Sequence, residues 1–277
     1  MAQPMTYAQF QALKQPKAEL RIPYGPGPDQ FGELWLPKGQ GPHPVVVMIH
    51  GGCWQASVAR LDIMNLIADA LRRRGTAVWN IEYRGVDQPG GGYPGTFEDV
   101  AAAIDRLREI APRHRLKLDK VVAVGHSAGG HLALWAAGRG RLPEASPLRT
   151  ARPLPIAAAV SLAGLADLGS LLEPGVHGCE VEAIRKLAAP AAAGGEGSFA
   201  ETSPAELLPL GSRQISIHAA QDRIAPVAVG EAYTRKARAA GDPASLTVLT
   251  GAGHFELIAP GTPAWTYAAA RIAEELR

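Results

Sequence analysis

Val121-Val122-Ala123-Val124-Gly125-His126-Ser127-Ala128-Gly129-Gly130-His131-Leu132-Ala133-Leu134-Trp135-Ala136-Ala137 is the stretch whose reading decides the fold. Four apolar residues make a short buried strand. A glycine-flanked serine follows, then an apolar run with helical spacing. A strand that turns sharply into a helix with serine at the corner is a nucleophile elbow. The G-x-S-x-G spacing puts glycine where strand, turn and helix crowd one another. The helix start offers free N–H groups to a developing negative charge. In a chain with 31 glycines the five-residue pattern alone arises by chance. The strand before it and the helix after it make Ser127 the candidate nucleophile. Trp135 falls on the apolar stripe of that helix and reads as core.

Outward from this stretch, short extended runs alternate with helical ones. Extended runs at 19–24 and 31–36 flank Gly25-Pro26-Gly27-Pro28 and predict an antiparallel pair at a sheet edge. The run 45–49 is apolar throughout, as in a strand covered on both faces. Further strands are expected at 77–83, 121–124, 156–162, 214–218 and 246–249, about eight in all. Helices are expected at 61–74, 96–110, 128–138, 227–240 and 263–276. Thr96-x-x-Asp99 has the spacing of a capping box at the start of the second of these. Arg72-Arg73-Arg74 ends the first just before Gly75, where cations complement the helix dipole and glycine caps. The alternation calls for a mostly parallel sheet with helices on both faces, in one α/β domain spanning 1–277. The segment 165–211, rich in Ala, Gly and Pro, reads as a lid-like insertion between two core strands, with the run 191–197 inside it.

A serine hydroxyl needs a base to take its proton and an acid to orient that base. His254, in Gly251-Ala252-Gly253-His254-Phe255, follows the 246–249 strand. Asp222 follows the 214–218 strand. Both loops emerge at the carboxyl edge of a parallel sheet, where active sites form. His126 and His131 flank the elbow and read as structural. His43, His114, His177 and His218 lack the strand-end glycine setting, and Asp167 and Glu256 are weaker candidates for the acid. After the 45–49 strand comes His50-Gly51-Gly52-Cys53-Trp54. A glycine turn there lets backbone N–H groups approach a substrate oxygen, so Gly52, Cys53 and Ala128 are candidates for an oxyanion hole. Trp54 and Phe255 adjoin these residues and are candidate substrate contacts.

These motifs together resemble the α/β-hydrolase superfamily, which has the chain order Ser, Asp, His found at 127, 222 and 254. The resemblance is to the branch of H-G-G esterases that includes hormone-sensitive-lipase-like enzymes and kynurenine formamidases. His50-Gly51-Gly52-x-Trp54 is similar to the formamidase form H-G-G-x-W. Glu82-Tyr83-Arg84 with Phe97-Glu98-Asp99, and the elbow itself, also resemble this branch. The chain departs from the lipase-like form in having Cys53 where those members have glycine. The resemblance implies an α/β-hydrolase fold and a serine esterase or amidase with no cofactor. The expected activity is hydrolysis of small to medium carboxylic esters through an acyl-serine. The alternatives are arylformamide hydrolysis by the same groups, peptidase action, and a non-catalytic ligand receptor on the same fold, against which an intact triad argues.

Composition narrows the remaining classes. A net charge of +2 gives no case for nucleic acid or an anionic membrane as partner, so a small-molecule substrate is expected. Gly90-x-Gly92-x-x-Gly95 matches a dinucleotide fingerprint but does not span a strand-to-helix turn, and Cys53 and Cys179 have no metal-ligand spacing, so no metal is expected. Residues 1–20 show no signal-peptide core and no run reaches 18 apolar residues, so a cytoplasmic location is expected. Two cysteines in such a compartment are expected as separate thiols. The alternative is a bond tying the insertion to the glycine turn, which needs Cα atoms about 4.4–6.8 Å apart.

Overall fold

The apolar, β-branched runs form strands and the amphipathic runs between them form helices, in a computed structural model that describes residues 3–190 and 197–277. In chain order they are α1 (Tyr7–Gln11), β1 (Leu20–Pro23), β2 (Phe31–Trp35), β3 (His43–Ile49), α2 (Asn65–Arg73), β4 (Ala77–Ile81), α3 (Gly95–Asp105) and α4 (Leu107–His114). The elbow region gives β5 (Leu116–His126) and α5 (Ala128–Gly138). Then follow β6 (Ala158–Leu162), α6 (Val181–Arg185), β7 (Arg213–Ala219), α7 (Val227–Ala239), β8 (Ala244–Leu249) and α8 (Pro263–Glu275).

The eight strands make one sheet in the order β1-β2-β4-β3-β5-β6-β7-β8. The first two are antiparallel to their neighbours and the other six run parallel. β4 and β6 are buried at every position, which requires cover on both faces. The outermost strand β1 is largely exposed. Ile49 pairs with Gly125, Gly125 with Ser161, Ser161 with Ser216, and Ala219 with Leu249. This register brings the loops that follow β3, β5, β7 and β8 out along one edge, and that edge carries the site.

Three local expectations are corrected. Thr96 does not cap α3: it is the helix's second residue, and its hydroxyl donates to Arg84 O while accepting from Gly92 N–H. The Asp99 carboxylate is taken by the Arg84 guanidinium instead. The expected 96–110 helix is two helices meeting at Arg106. The helix expected over 61–74 begins as a 3-10 turn, Leu61–Met64. Within the insertion, the run 191–196 lies outside the described residues. The described part is a 3-10 turn at Gly169–Leu172, the short α6 and irregular chain. It is fastened to α5, where Trp135 Nε1 donates to Glu201 O at 2.9 Å and His131 Nε2 meets Thr202 O at 2.8 Å.

Candidate active site

Ser127 sits at the corner between β5 and α5 with φ 55° and ψ −121°, in the positive-φ region where non-glycine residues are strained. Its N–H donates to Leu162 O at 2.8 Å, which holds the corner against β6. Glycine is required around it. A Cβ on Gly125 would lie 1.9 Å from Gly129 O, and one on Gly129 would lie 2.1 Å from Ile49 O. The tight turn therefore depends on the close approach of three backbones.

His254, on the loop after β8, meets Asp222, on the loop after β7, with Nδ1 and Oδ2 2.6 Å apart. The other Asp222 oxygen accepts the N–H groups of Ile224 at 2.8 Å and Ala225 at 2.9 Å. Burial alone would raise the Asp222 carboxyl. The His254 contact and charge, with these two N–H groups, outweigh burial and hold it below the usual carboxylate range. Ser127 and His254 line one cavity. No hydrogen bond joins them among the described residues, and such contacts commonly close only around a substrate. Burial, reinforced by the His254 charge, pushes neighbouring His126 down to about 3. Burial pushes His131 down to about 4 and lowers His218. The two weaker acid candidates are engaged elsewhere: Asp167 with Lys236 Nζ at 2.6 Å, and Glu256 with the N–H groups of Met5 and Gly253.

The glycine turn after β3 lies against the elbow. A Cβ on Gly51 would meet His126 O at 2.9 Å and Ser127 Cβ at 3.0 Å. Gly52, Cys53 and Trp54 all have positive φ, at 110°, 51° and 59°. The N–H groups of Gly52 and Cys53, and of Ala128 at the start of α5, donate to no backbone carbonyl among the described residues. An oxyanion requires free N–H donors of this kind. His50 anchors the turn from below, with Nδ1 on Gly51 O at 2.7 Å and Nε2 on Glu82 at 2.8 Å. Burial would raise Glu82, but His50, Arg60 and the Leu61 N–H together hold its carboxyl low.

Cys53 is bonded to Cys179 of the insertion, with Cα atoms 5.5 Å apart. The expectation of two separate thiols is thereby corrected. The bond stitches the insertion to the glycine turn, and Gly178 N–H adds a hydrogen bond to Ile224 O beside Asp222. Trp54 is corrected as well. Its side chain is fully buried, donates Nε1–H to His131 Nδ1 at 3.1 Å, and does not line the cavity. The left-handed turn at 53–54 sends it into the core. Phe255 does line the cavity.

That cavity holds about 180 Å³ and is walled by Tyr7, Val58, Ala59, Ile63, Ile224 and Phe255 around Ser127, His254, Gly52 and Cys53. Beside it lies an open cleft of about 800 Å³ edged by Gln3, Thr6, Gln221 and Arg223, which reaches His254 but not Ser127. Sequence reasoning missed Tyr7, because the N-terminal segment reads as polar. The legible signal was Thr6-x-x-Gln9, which forms a capping box at α1 and places Tyr7 and Phe10 on Phe255. Among the described residues no group of three or more His, Cys, Asp or Glu side chains is placed to hold a metal.

Set beside known proteins, residues 33–236 match the family model BD-FAE. No curated protein matches the chain. Among solved structures, esterase B from Lactobacillus rhamnosis superimposes with a TM-score of 0.80 at 20% identity, covering 97% of this chain and 88% of that one. Thermogutta terrifontis esterase 2 phosphoramylated by tabun gives 0.72 at 19% identity, covering 98% and 97%. A bifunctional GH43-CE of Bacteroides eggerthii gives 0.77 at 20% identity over 93% of this chain, which spans about a third (35%) of that longer protein. At these identities the likeness carries the fold, and the fold is that of the α/β-hydrolases.

Proposed function

This chain belongs to the BD-FAE family, and from that premise we propose that it is a serine hydrolase that cleaves carboxylic esters with a short acyl group. One observation carries the reading: His254, 2.6 Å from Asp222, opens on the same cavity as Ser127, which is held in a strained turn. Ser127 Oγ attacks the ester carbonyl carbon. His254 takes the proton, and Asp222 holds the imidazole in orientation and stabilises its charged form. The carbonyl oxygen, now an anion, is held by the N–H groups of Gly52, Cys53 and Ala128. The C–O bond to the alcohol breaks, and His254 returns the proton to the departing alkoxide. Water, deprotonated by His254, then attacks the acyl-serine and releases the acid.

The two cavities divide the substrate. The carbonyl must lie beside Ser127 and the glycine turn, so the acyl group occupies the 180 Å³ cavity that contains them. The leaving oxygen must reach His254, so the alcohol extends into the wider cleft, whose Gln221, Arg223 and Thr6 suit a polar alcohol. At 180 Å³ the acyl site is smaller than the roughly 300–1,000 Å³ of drug-sized sites, which limits it to a few carbons. The insertion, through Gly178 and Cys179, acts as the wall over the acyl site. Cytoplasmic residence would keep Cys53 and Cys179 reduced, so the enzyme would then work with this wall untied; an oxidising compartment keeps it tied.

An alkyl phosphonate ester should add one label, at Ser127, and abolish turnover of short acyl esters. Ser127→Ala should lose both. Labelling at another serine, or ester turnover that survives Ser127→Ala, overturns the assignment. Running N-formylkynurenine beside the esters separates arylformamide hydrolysis, which uses the same atoms: a formamide kcat/KM exceeding that of every ester would replace the ester reading.

A further inference from the structure

Tyr7 stands at the boundary between the two cavities and lines both. The capping box of Thr6 and Gln9 sets the start of α1, and contacts along 4–10 then fix the segment over the site. The Tyr7 ring stacks on Phe255 at 5.3 Å, with Phe10 on the same ring at 5.7 Å. The Tyr7 hydroxyl donates to Val58 O at 2.8 Å, on the wall that follows the glycine turn. Met5 N–H donates to Glu256, two residues beyond His254. Pro4 fills the space that a Cβ on Gly253 would need, at 2.6 Å.

Ile224, His254 and Phe255 also border both cavities, but they belong to the loops that carry the acid and the base. Tyr7 comes from a separate segment and reaches from Phe255 across to Val58. Removing its ring opens the partition without touching the Asp222–His254 contact. The geometry points to Tyr7 as a specificity-determining residue: its side chain forms part of the wall between the acyl cavity of about 180 Å³ and the cleft of about 800 Å³ and so confines the enzyme to short acyl groups. This inference rests on the esterase reading, and its test separates the two.

The test is kcat/KM for 4-nitrophenyl acetate, butyrate, hexanoate and octanoate with wild type, Tyr7→Ala, Tyr7→Trp and Tyr7→Phe. One methylene in an apolar pocket changes kcat/KM by about tenfold or more. The hexanoate-to-acetate ratio should therefore rise at least about tenfold in Tyr7→Ala, mainly through a lower KM for hexanoate. It should fall in Tyr7→Trp, whose ring takes more of the cavity. Tyr7→Phe keeps the ring and loses only the hydrogen bond to Val58, so it should keep the wild-type ratio. A merely structural Tyr7 would lower all four esters in proportion. That result, with Ser127 still labelled by a methylphosphonate, overturns the inference and leaves the esterase reading standing. Absence of both turnover and label in the wild type overturns the esterase reading and this inference with it. Should Tyr7→Ala fail to fold, Tyr7→Trp asks the same question in the opposite direction, and an unchanged ratio there overturns the inference.

Discussion

At the scale of single residues, the proposed chemistry depends on which way three side chains are held. Ser127 is held by backbone strain, His254 by Asp222, and Asp222 by two N–H groups on its far oxygen. Asp222→Asn should keep the fold, because an amide oxygen can still accept from Ile224 and Ala225. Its NH2 would face His254 Nδ1 and force the wrong tautomer, so kcat should fall by about 10⁴. Near-wild-type turnover in the folded variant would remove Asp222 from the mechanism. Residue scale is also where adjacency in sequence misled. Trp54 and Phe255 both neighbour proposed catalytic residues, yet one is core and the other cavity wall. The positive φ at Cys53 and Trp54 decides that difference, and no residue type at those positions announces it.

At the scale of elements, the site is a meeting of four loops at one sheet edge, and the one after β3 is tied by a covalent bond to the insertion that follows β6. Cys53–Cys179 closes a separation of 126 residues and joins the glycine turn to the insertion. A bond closing so long a loop stabilises typically by about 2–4 kcal/mol, chiefly by restricting the unfolded chain. Cys179→Ser, or a thiol reductant acting on wild type, should lower Tm by a matching amount. It should also raise KM for short esters more than it lowers kcat, since the wall loosens while Ser127, His254 and Asp222 keep their places. An unchanged Tm and KM on full reduction would show that the bond ties nothing of consequence. The elements themselves were largely legible: all eight strands overlap extended runs expected from the chain, and Gly75 follows the Arg-rich helix end at φ 90°. The Thr96 cap was not, because its hydroxyl found Arg84 O, a partner brought by another strand's end.

At the scale of the whole molecule, acid should undo the fold in two stages. His126 and His131 are buried and held at about 3 and 4, and His218 is lowered too, whereas unfolded histidine titrates near 6.5. Between about 6.5 and those values the unfolded chain binds more protons than the folded one, so stability falls with falling pH through that window. Asp222 and Glu82 are buried carboxyls and Asp105 a half-buried one, all held low against the penalty of burial. Their contribution is present above about 4 and is lost as pH drops through their folded values. Tm measured from pH 7 to 3 should therefore begin to decline near 6.5 and steepen below about 4. A flat Tm down to pH 4.5 would mean that the buried histidines do not resist protonation. No helix among the described residues is long and apolar enough to cross a membrane. What the sequence by itself determined is whatever short-range sterics and periodicity can encode. It carries the strand–turn–helix around Ser127, the strand-end positions of Asp222 and His254, and the alternation that makes a parallel sheet. What only the tertiary structure decided is everything that needs distant segments to meet: the Cys53–Cys179 bond, the burial of Trp54, and Tyr7 laid across the cavity from a segment that reads as a polar tail. Local patterns fix backbone shape within a few residues, whereas these contacts span 51 or more positions and form only once the sheet has set where each loop emerges.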